Sequence, residues 1–350
     1  MAPGGFDQFY VPRHIGLYSG VPVAVPALQV QRICGTGFEV FRQAAEQIAL
    51  GSATLALVVG TESMTRNPIA AFDHRGGFRL GAPIGFKDFM WESLTDPAAV
   101  SMIQTAENLA RKYGITREEV DAFASTSFSR AVAAQEAGWF NAEIVPVSSE
   151  TFELDGYKPR QLKLSGKAPV ADRDTHPRPT PPEVLAKLRT VFKDGVQTGG
   201  NSSALTDAAA AAIVASSDAA KAWGRKPLAR LAAAAVVGVP PEIMGIGPVP
   251  AIRRLLAGHG LSISDIARFE INEAQGAQTL AVGRELGLDL DKLNVHGGAI
   301  ALGHPLAATG VRLTITCARQ LQAIGARWGV ASACIGGGQG IALLIENMQA

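Results

Sequence analysis

Cysteine is scarce in this chain of 350 residues: there are three, an odd number and far apart. That spacing argues against a disulfide framework and for a reducing compartment. An excess of charge of either sign is also missing. Lys and Arg total 32 against 31 Asp and Glu, a net charge of +1, so no global pull toward nucleic acid or a membrane surface is encoded. No apolar run reaches the length of a membrane span, and the N-terminal residues lack the basic-then-apolar pattern of a secretory signal. A soluble, cytoplasmic protein is the expectation. The glycines nowhere fall into the spacing of a dinucleotide fingerprint or a Walker loop, so hydride or phosphoryl transfer from a nucleotide is not indicated.

What is present is a core-rich α/β chain, 47% hydrophobic and only 18% charged, long enough for two or more subdomains. Two of the three cysteines stand at opposite ends, each followed by glycines: Cys34-Gly35-Thr36-Gly37 and Cys334-Ile335-Gly336-Gly337-Gly338. Gly303-His304-Pro305 brings a histidine into a third glycine-rich turn. Thiols and an imidazole on tight turns with free backbone N–H groups are suited to acyl-thioester chemistry.

The surroundings of Cys34 read as strand, turn, helix, strand. Ala27–Val30 has extended character. Phe38, Phe41, Ala45 and Ile48 predict a helix that Gly51 stops, and residues 53–60 form a continuous apolar run expected of a strand buried on both faces. The far end repeats the pattern, with a helix through Val311, Ile315, Ala318 and Leu321 closed by Gly325. A strand at Val330–Ala333 and a closing strand at Ile341–Ile345 follow. From about Thr61 to Thr198 this alternation gives way to Pro-rich and aromatic material. Helices are expected at Ala106–Tyr113 and Arg117–Ala137, the second N-capped by Thr116, and the whole region reads as an insertion over a site built by two core halves.

A helix start is expected to lower the Cys34 thiol pKa, and its flanking glycines suggest close approach of a ligand. His304 is a candidate base beside it, and Cys334 a second acid/base group. Cys317, on an apolar helix face, reads as structural, and the other five histidines as surface loop residues. Asn272 either caps the following helix or orients a water in the site. Thr198–Ser203 is loop and cap, or a backbone-rich contact for a ligand.

Together these motifs resemble the thiolase family, in its 3-ketoacyl-CoA thiolase and acetyl-CoA acetyltransferase branch. The likeness runs in order through Cys34–Gly37, Gly60–Met64, Thr105–Asn108, Met244–Pro248, Asn272–Ala274, Gly303–Pro305 and Cys334–Gly338. It implies two βαβαβαββ halves in a five-layered αβαβα core plus a loop domain. We expect 1–62 with 199–222 as the N-terminal half, 63–198 as the loop domain over the CoA site and 223–350 as the C-terminal half. It implies Cys34 as the acylated nucleophile, His304 as its base and Cys334 as the acid/base at the acetyl-CoA carbon or CoA thiol. Asn272 would hold a water that makes one oxyanion hole with His304, and the N–H groups of Cys34 and Gly336 would make the other. Ser203, Met244 and Met102 match substrate positions. CoA enters as co-substrate, with no metal and no covalently bound cofactor, and a homodimer or homotetramer is expected.

The chain departs from the family at several points. Members usually carry several dozen residues before the position of Gly4, so a core sheet short of a strand, lower stability or altered assembly is expected. Ser101-Met102-Ile103-Gln104 replaces His-Met-Gly, Gln275-Gly276 follows Asn-Glu-Ala, Ala307 stands where glycine is common, and Ser202-Ser203-Ala204 replaces Ala-Ser-Gly. Retained chemistry with altered acyl specificity is expected. The rivals are a ketoacyl-synthase-type condensing enzyme, disfavoured because Cys334 stands where those use a second His, or His and Asn, and a catalytically impaired thiolase-like structural or lipid-binding protein.

Overall fold

The structure is a computed structural model that describes residues 5–72, 74–164, 166 and 168–350. The chain opens with α1 (Val11–Tyr18) and reaches α2 (Thr36–Ala49) through a 3-10 turn at Ile33–Gly35. β1 (Leu55–Ser63) follows. The next region holds short strands: β2 (Ile69–Ala71) with β3 (Phe86–Asp88), β4 (Val147–Ser148) with β7 (Val170–Ala171), and β5 (Glu150–Phe152) with β6 (Arg160–Leu162). Its helices are α3 (Phe89–Ser93), α4 (Met102–Tyr113), α5 (Arg117–Glu136) and α6 (Pro182–Leu185). Thr116 caps α5 through a reciprocal box with Glu119, as its sequence position predicts.

Regular alternation returns with β8 (Asp207–Ala215), α7 (Ser217–Ala222), β9 (Arg230–Gly238), α8 (Pro248–Ala257), β10 (Arg268–Ile271) and α9 (Gly276–Leu286). It ends with α10 (Ala299–Leu302), α11 (Leu306–Ile324), β11 (Trp328–Ile335) and β12 (Gln339–Glu346). β1 and β8 pair antiparallel, and the second sheet runs β10-β11-β12-β9. α2 and α11 pack against each other between the two sheets, and α8 covers the outer face of the four-stranded one. One apolar cluster fills the middle: Phe38 and Phe41 from α2, Val58 from β1, Val311 and Leu313 from α11, and Ile341, Leu343 and Ile345 from β12.

Two expectations fail locally. Ala27–Val30 forms no strand, because no neighbouring strand among the described residues pairs with it, and Leu28 is largely exposed. The run at 53–60 does form β1, but it is not buried on both faces. Its inner face packs on α2 and α11, while Leu55 and Leu57 point outward and are 45% and 41% exposed. Among the described residues the β1–β8 sheet has two strands against four in the other.

Candidate active site

The three glycine-rich turns meet at the ends of α2, α11 and β11. Cys34 sits in the 3-10 turn that runs directly into α2 and is buried. The residue before it, Ile33, has φ +46°, a left-handed conformation that is costly for a β-branched residue and found where surrounding structure enforces it. The turn is closely packed. A Cβ on Gly35 would lie 2.6 Å from Ile335 Cδ1, and one on Gly37 would lie 2.6 Å from both the Ala307 carbonyl oxygen and the Val311 nitrogen. These glycines therefore serve the close contact of α2 and its leading turn with β11, β12 and α11. Arg32 clamps the turn from outside, donating to Glu39 Oε2 and to Gln339 Oε1, each at 2.9 Å.

The expectation of an acidic thiol is corrected. Burial pushes the Cys34 thiol up to about 11, against hydrogen bonds from the Gly336 N–H and its own backbone that favour the thiolate. Desolvation outweighs the helix start, so the resting group is a thiol. Cys334 lies inside β11, next to its last residue, and not in the turn that follows. Burial, followed by the nearby Cys34, raises its thiol as well. Cys334 packs with Met244 and Ala274, with Met102 alongside. Gly336 lies in the turn beyond, where Gly337 and Gly338 take φ +82° and +86°.

His304 lies between α10 and α11, buried, with its backbone N–H donating to the Ala204 carbonyl at 3.1 Å. Nδ1 is 2.7 Å from Thr309 Oγ1, and Nε2 is 3.3 Å from Asn272 Nδ2. With the Asn272 amide donating to Nε2, the ring proton is on Nδ1 and is given to Thr309. Burial, followed by the Arg312 cation, pulls the imidazole down to about 3. It is neutral and able to accept a proton. Asn272 does not cap α9, whose cap is Gln275. Its Oδ1 is buried without a protein partner, an acceptor that a water would satisfy. Ser203 is held nearby by an N–H bond to the Ala274 carbonyl, 3.1 Å.

Behind the site lies a buried polar network that the sequence did not announce. Glu273 accepts from Ser127 Oγ at 2.7 Å, Asn294 Nδ2 at 2.8 Å and the Ile300 N–H at 3.1 Å, which ties α5 and α10 to the end of β10. Glu270, two residues before Asn272 in chain order, accepts from Gln320 at 2.9 Å, and burial pushes its carboxyl up to about 8. Thr309 and Arg312, three residues apart, share a face of α11. Two of the other histidines are also not loose surface residues: His176 Nδ1 lies 2.8 Å from the Ala301 oxygen, and His296 stacks on Trp139. Cys317 is fully buried in the central cluster, as its helix face predicts. Among the described residues no group of His, Cys, Asp and Glu is arranged to hold a metal ion.

The geometry thus joins Cys34 to Gly336 and Cys334, Asn272 to His304, and Met102 and Met244 to the Cys334 side. The profile of the thiolase N-terminal domain matches residues 1–218, and that of the C-terminal domain residues 225–347. The chain is 45% identical to human mitochondrial 3-ketoacyl-CoA thiolase over 344 residues, 97% of this chain and 83% of that protein. It is 43% identical to an acetyl-CoA acetyltransferase of Pseudomonas aeruginosa over 341 residues, 96% of this chain and 83% of that one. The crystal structure of the human mitochondrial enzyme in complex with CoA superposes with a TM-score of 0.92 at 44% identity, covering 99% of this chain and 85% of that chain. The chain belongs to the thiolase family. It has the thiolase fold and is an acyltransferase.

Proposed function

We propose that the protein exchanges acyl groups between 3-ketoacyl-CoA and CoA through an acyl-cysteine at Cys34, in thiolysis or in the reverse Claisen condensation. The observation that carries this reading is that Cys34, with the Gly336 N–H beside it, packs against Leu306, two residues beyond a buried His304 whose imidazole is oriented by Thr309.

In the thiolytic direction, the Cys34 proton passes to His304 Nε2 as the sulfur attacks the 3-keto carbon. The oxyanion that forms on that carbon faces the N–H groups of Cys34 and Gly336. The carbon–carbon bond then breaks, its electron pair goes to the acetyl-CoA α-carbon with charge spread onto the thioester oxygen, which faces His304 and the water on Asn272, and Cys334 supplies the proton there. In the second half-reaction the Cys334 thiolate takes the proton of CoA. The CoA sulfur attacks the acyl carbon, its oxyanion facing the N–H groups of Cys34 and Gly336. Cys34 leaves and recovers its proton from His304. Two holes serve because two carbonyl oxygens gain charge in turn, and splitting the transfer keeps each barrier manageable. Both thiols start protonated, which suits Cys334 as an acid and makes Cys34 depend on its base.

Ser203, Met102 and Met244 contact the pantetheine and acyl portions, and residues 63–198 cover the CoA. Fatty-acid metabolism in the cytoplasm is the setting we propose, supported by three free cysteines. We also propose a homodimer or homotetramer that covers the outward residues of β1. Incubation with acetyl-CoA followed by mass spectrometry tests the chemistry: an acetyl adduct on Cys34, absent from Cys34→Ala, is expected. A protein that binds acyl-CoA without acylation would be a carrier, and the proposal would fall.

A further inference from the structure

The chain has six methionines, Met1, Met64, Met90, Met102, Met244 and Met348. Every one away from the termini lies at the two cysteines. Met102 and Met244 flank Cys334. Met64 and Met90, to which no role has been given above, pack with Leu306 around Cys34, and Ile33 completes that cluster. Both are buried, at 6% and 7% exposure.

They arrive from separate elements, and local hydrogen bonds fix the backbone of each. Met64 opens the 3-10 turn after β1, where Asn67 donates to the Met64 carbonyl from its backbone and its side chain, both at 3.2 Å. The Asp207 carboxylate accepts from the next N–H, that of Thr65, at 3.0 Å. Met90 lies in the first turn of α3, where capping Asp88 accepts from its N–H at 2.9 Å. That turn sends Met90 inward while Trp91 stays 62% exposed.

We infer that Met64 and Met90 form the movable wall of the acyl site beside Cys34 and set the length of acyl group the enzyme accepts. The inference rests on the acyl-cysteine reading above. An acyl group bonded to the Cys34 sulfur must occupy space next to it, and the side chains packed there are two thioethers, Leu306 and Ile33. Thioether side chains are unbranched, with three rotatable bonds, so they yield to a chain of variable shape where branched or aromatic residues resist. Their bulk against the sulfur favours short acyl groups, and longer ones require them to swing aside.

The test compares kcat/KM for a long 3-ketoacyl-CoA with kcat/KM for acetoacetyl-CoA in Met64→Ala, Met90→Ala and Met90→Phe. A single methylene in such a pocket is worth roughly 10- to 200-fold in discrimination. The long-to-short ratio is expected to rise by about tenfold or more in the alanine variants and to fall in Met90→Phe, in which bulk is added. Ratios within about twofold of wild type in all three, or moving in one direction for both Ala and Phe, overturn the inference. Met90→Phe leaves no cavity, so the test survives if the alanine variants fail to fold. Wild-type protein incubated with acetyl-CoA runs alongside. No adduct on Cys34 would overturn the acyl-cysteine reading, whereas an adduct with unmoved ratios overturns the methionine assignment alone.

Discussion

Replacing Thr309 by Val keeps the volume of the side chain and deletes the one atom that holds His304 Nδ1. The bond spans 2.7 Å between buried residues, Thr309 being fully buried. No solvent is at hand to replace it, so the imidazole N–H is left unsatisfied, at a cost of about 1–3 kcal/mol. If that cost falls on the transition state, in which the ring carries the Cys34 proton, kcat drops roughly 5- to 150-fold. KM should hold, because Thr309 is not expected to touch substrate. The assay is steady-state thiolysis of acetoacetyl-CoA by CoA, with a thermal melt on the same preparations. Thr309→Ser, which restores the hydroxyl, should recover most of the rate. A Thr309→Val enzyme whose kcat stays within about twofold of wild type, or a Ser variant as slow as the Val variant, would refute the positioning argument.

Cys334→Ala should lower kcat by about 10²- to 10⁴-fold through loss of an acid, measured in the same assay; full activity would remove Cys334 from the reaction. Gly37→Ala drives a Cβ into the Ala307 carbonyl and the Val311 nitrogen, so chemical denaturation should show a loss of about 1–3 kcal/mol, and an unchanged midpoint would contradict the packing reading. Glu270→Gln tests the buried carboxyl. Its native pKa, about 8, lies above the usual 4.5, so between those values the folded state binds the extra proton and stability is lost as pH rises toward 8. Wild type should therefore lose stability relative to Glu270→Gln between about pH 5 and 8, and parallel stability curves would show that Glu270 titrates normally.

The parts legible in the sequence are those with a local signature. The helices at α2, α4, α5 and α11 follow from periodicity, Thr116 and the closing glycines, and the strand at β12 from its apolar run. Glycine turns mark Cys34, His304 and Cys334. The rest depends on distant partners. Whether 27–30 pairs, and whether β1 is covered on its outer face, is decided by what lies alongside, which no local pattern states. The Cys34 thiol departs from its expectation because a helix start is visible in sequence while the depth of burial opposing it is not. Thr309, Met64, Met90 and Glu270 belong to common residue types in ordinary helical or apolar surroundings. Thr309, five residues after His304, offers a faint signal, since one turn of helix brings such a hydroxyl back toward the ring.

At the meeting of α2 and α11, Gly37 leaves room for the Ala307 carbonyl, and Gly310 leaves room for the Phe38 nitrogen. Main chain there touches main chain, so nothing at that contact can rotate or slide without breaking both helices. The start of α2, just beyond Cys34, and the start of α11, just beyond His304, are locked into one cooperative unit. Their amides should exchange with deuterium only on global unfolding, while the short strand pairs β2–β3, β4–β7 and β5–β6, an outer segment, open more readily. Admission of substrate and release of product would then be timed by the breathing of that outer segment, with the spacing between thiol and imidazole unchanged throughout.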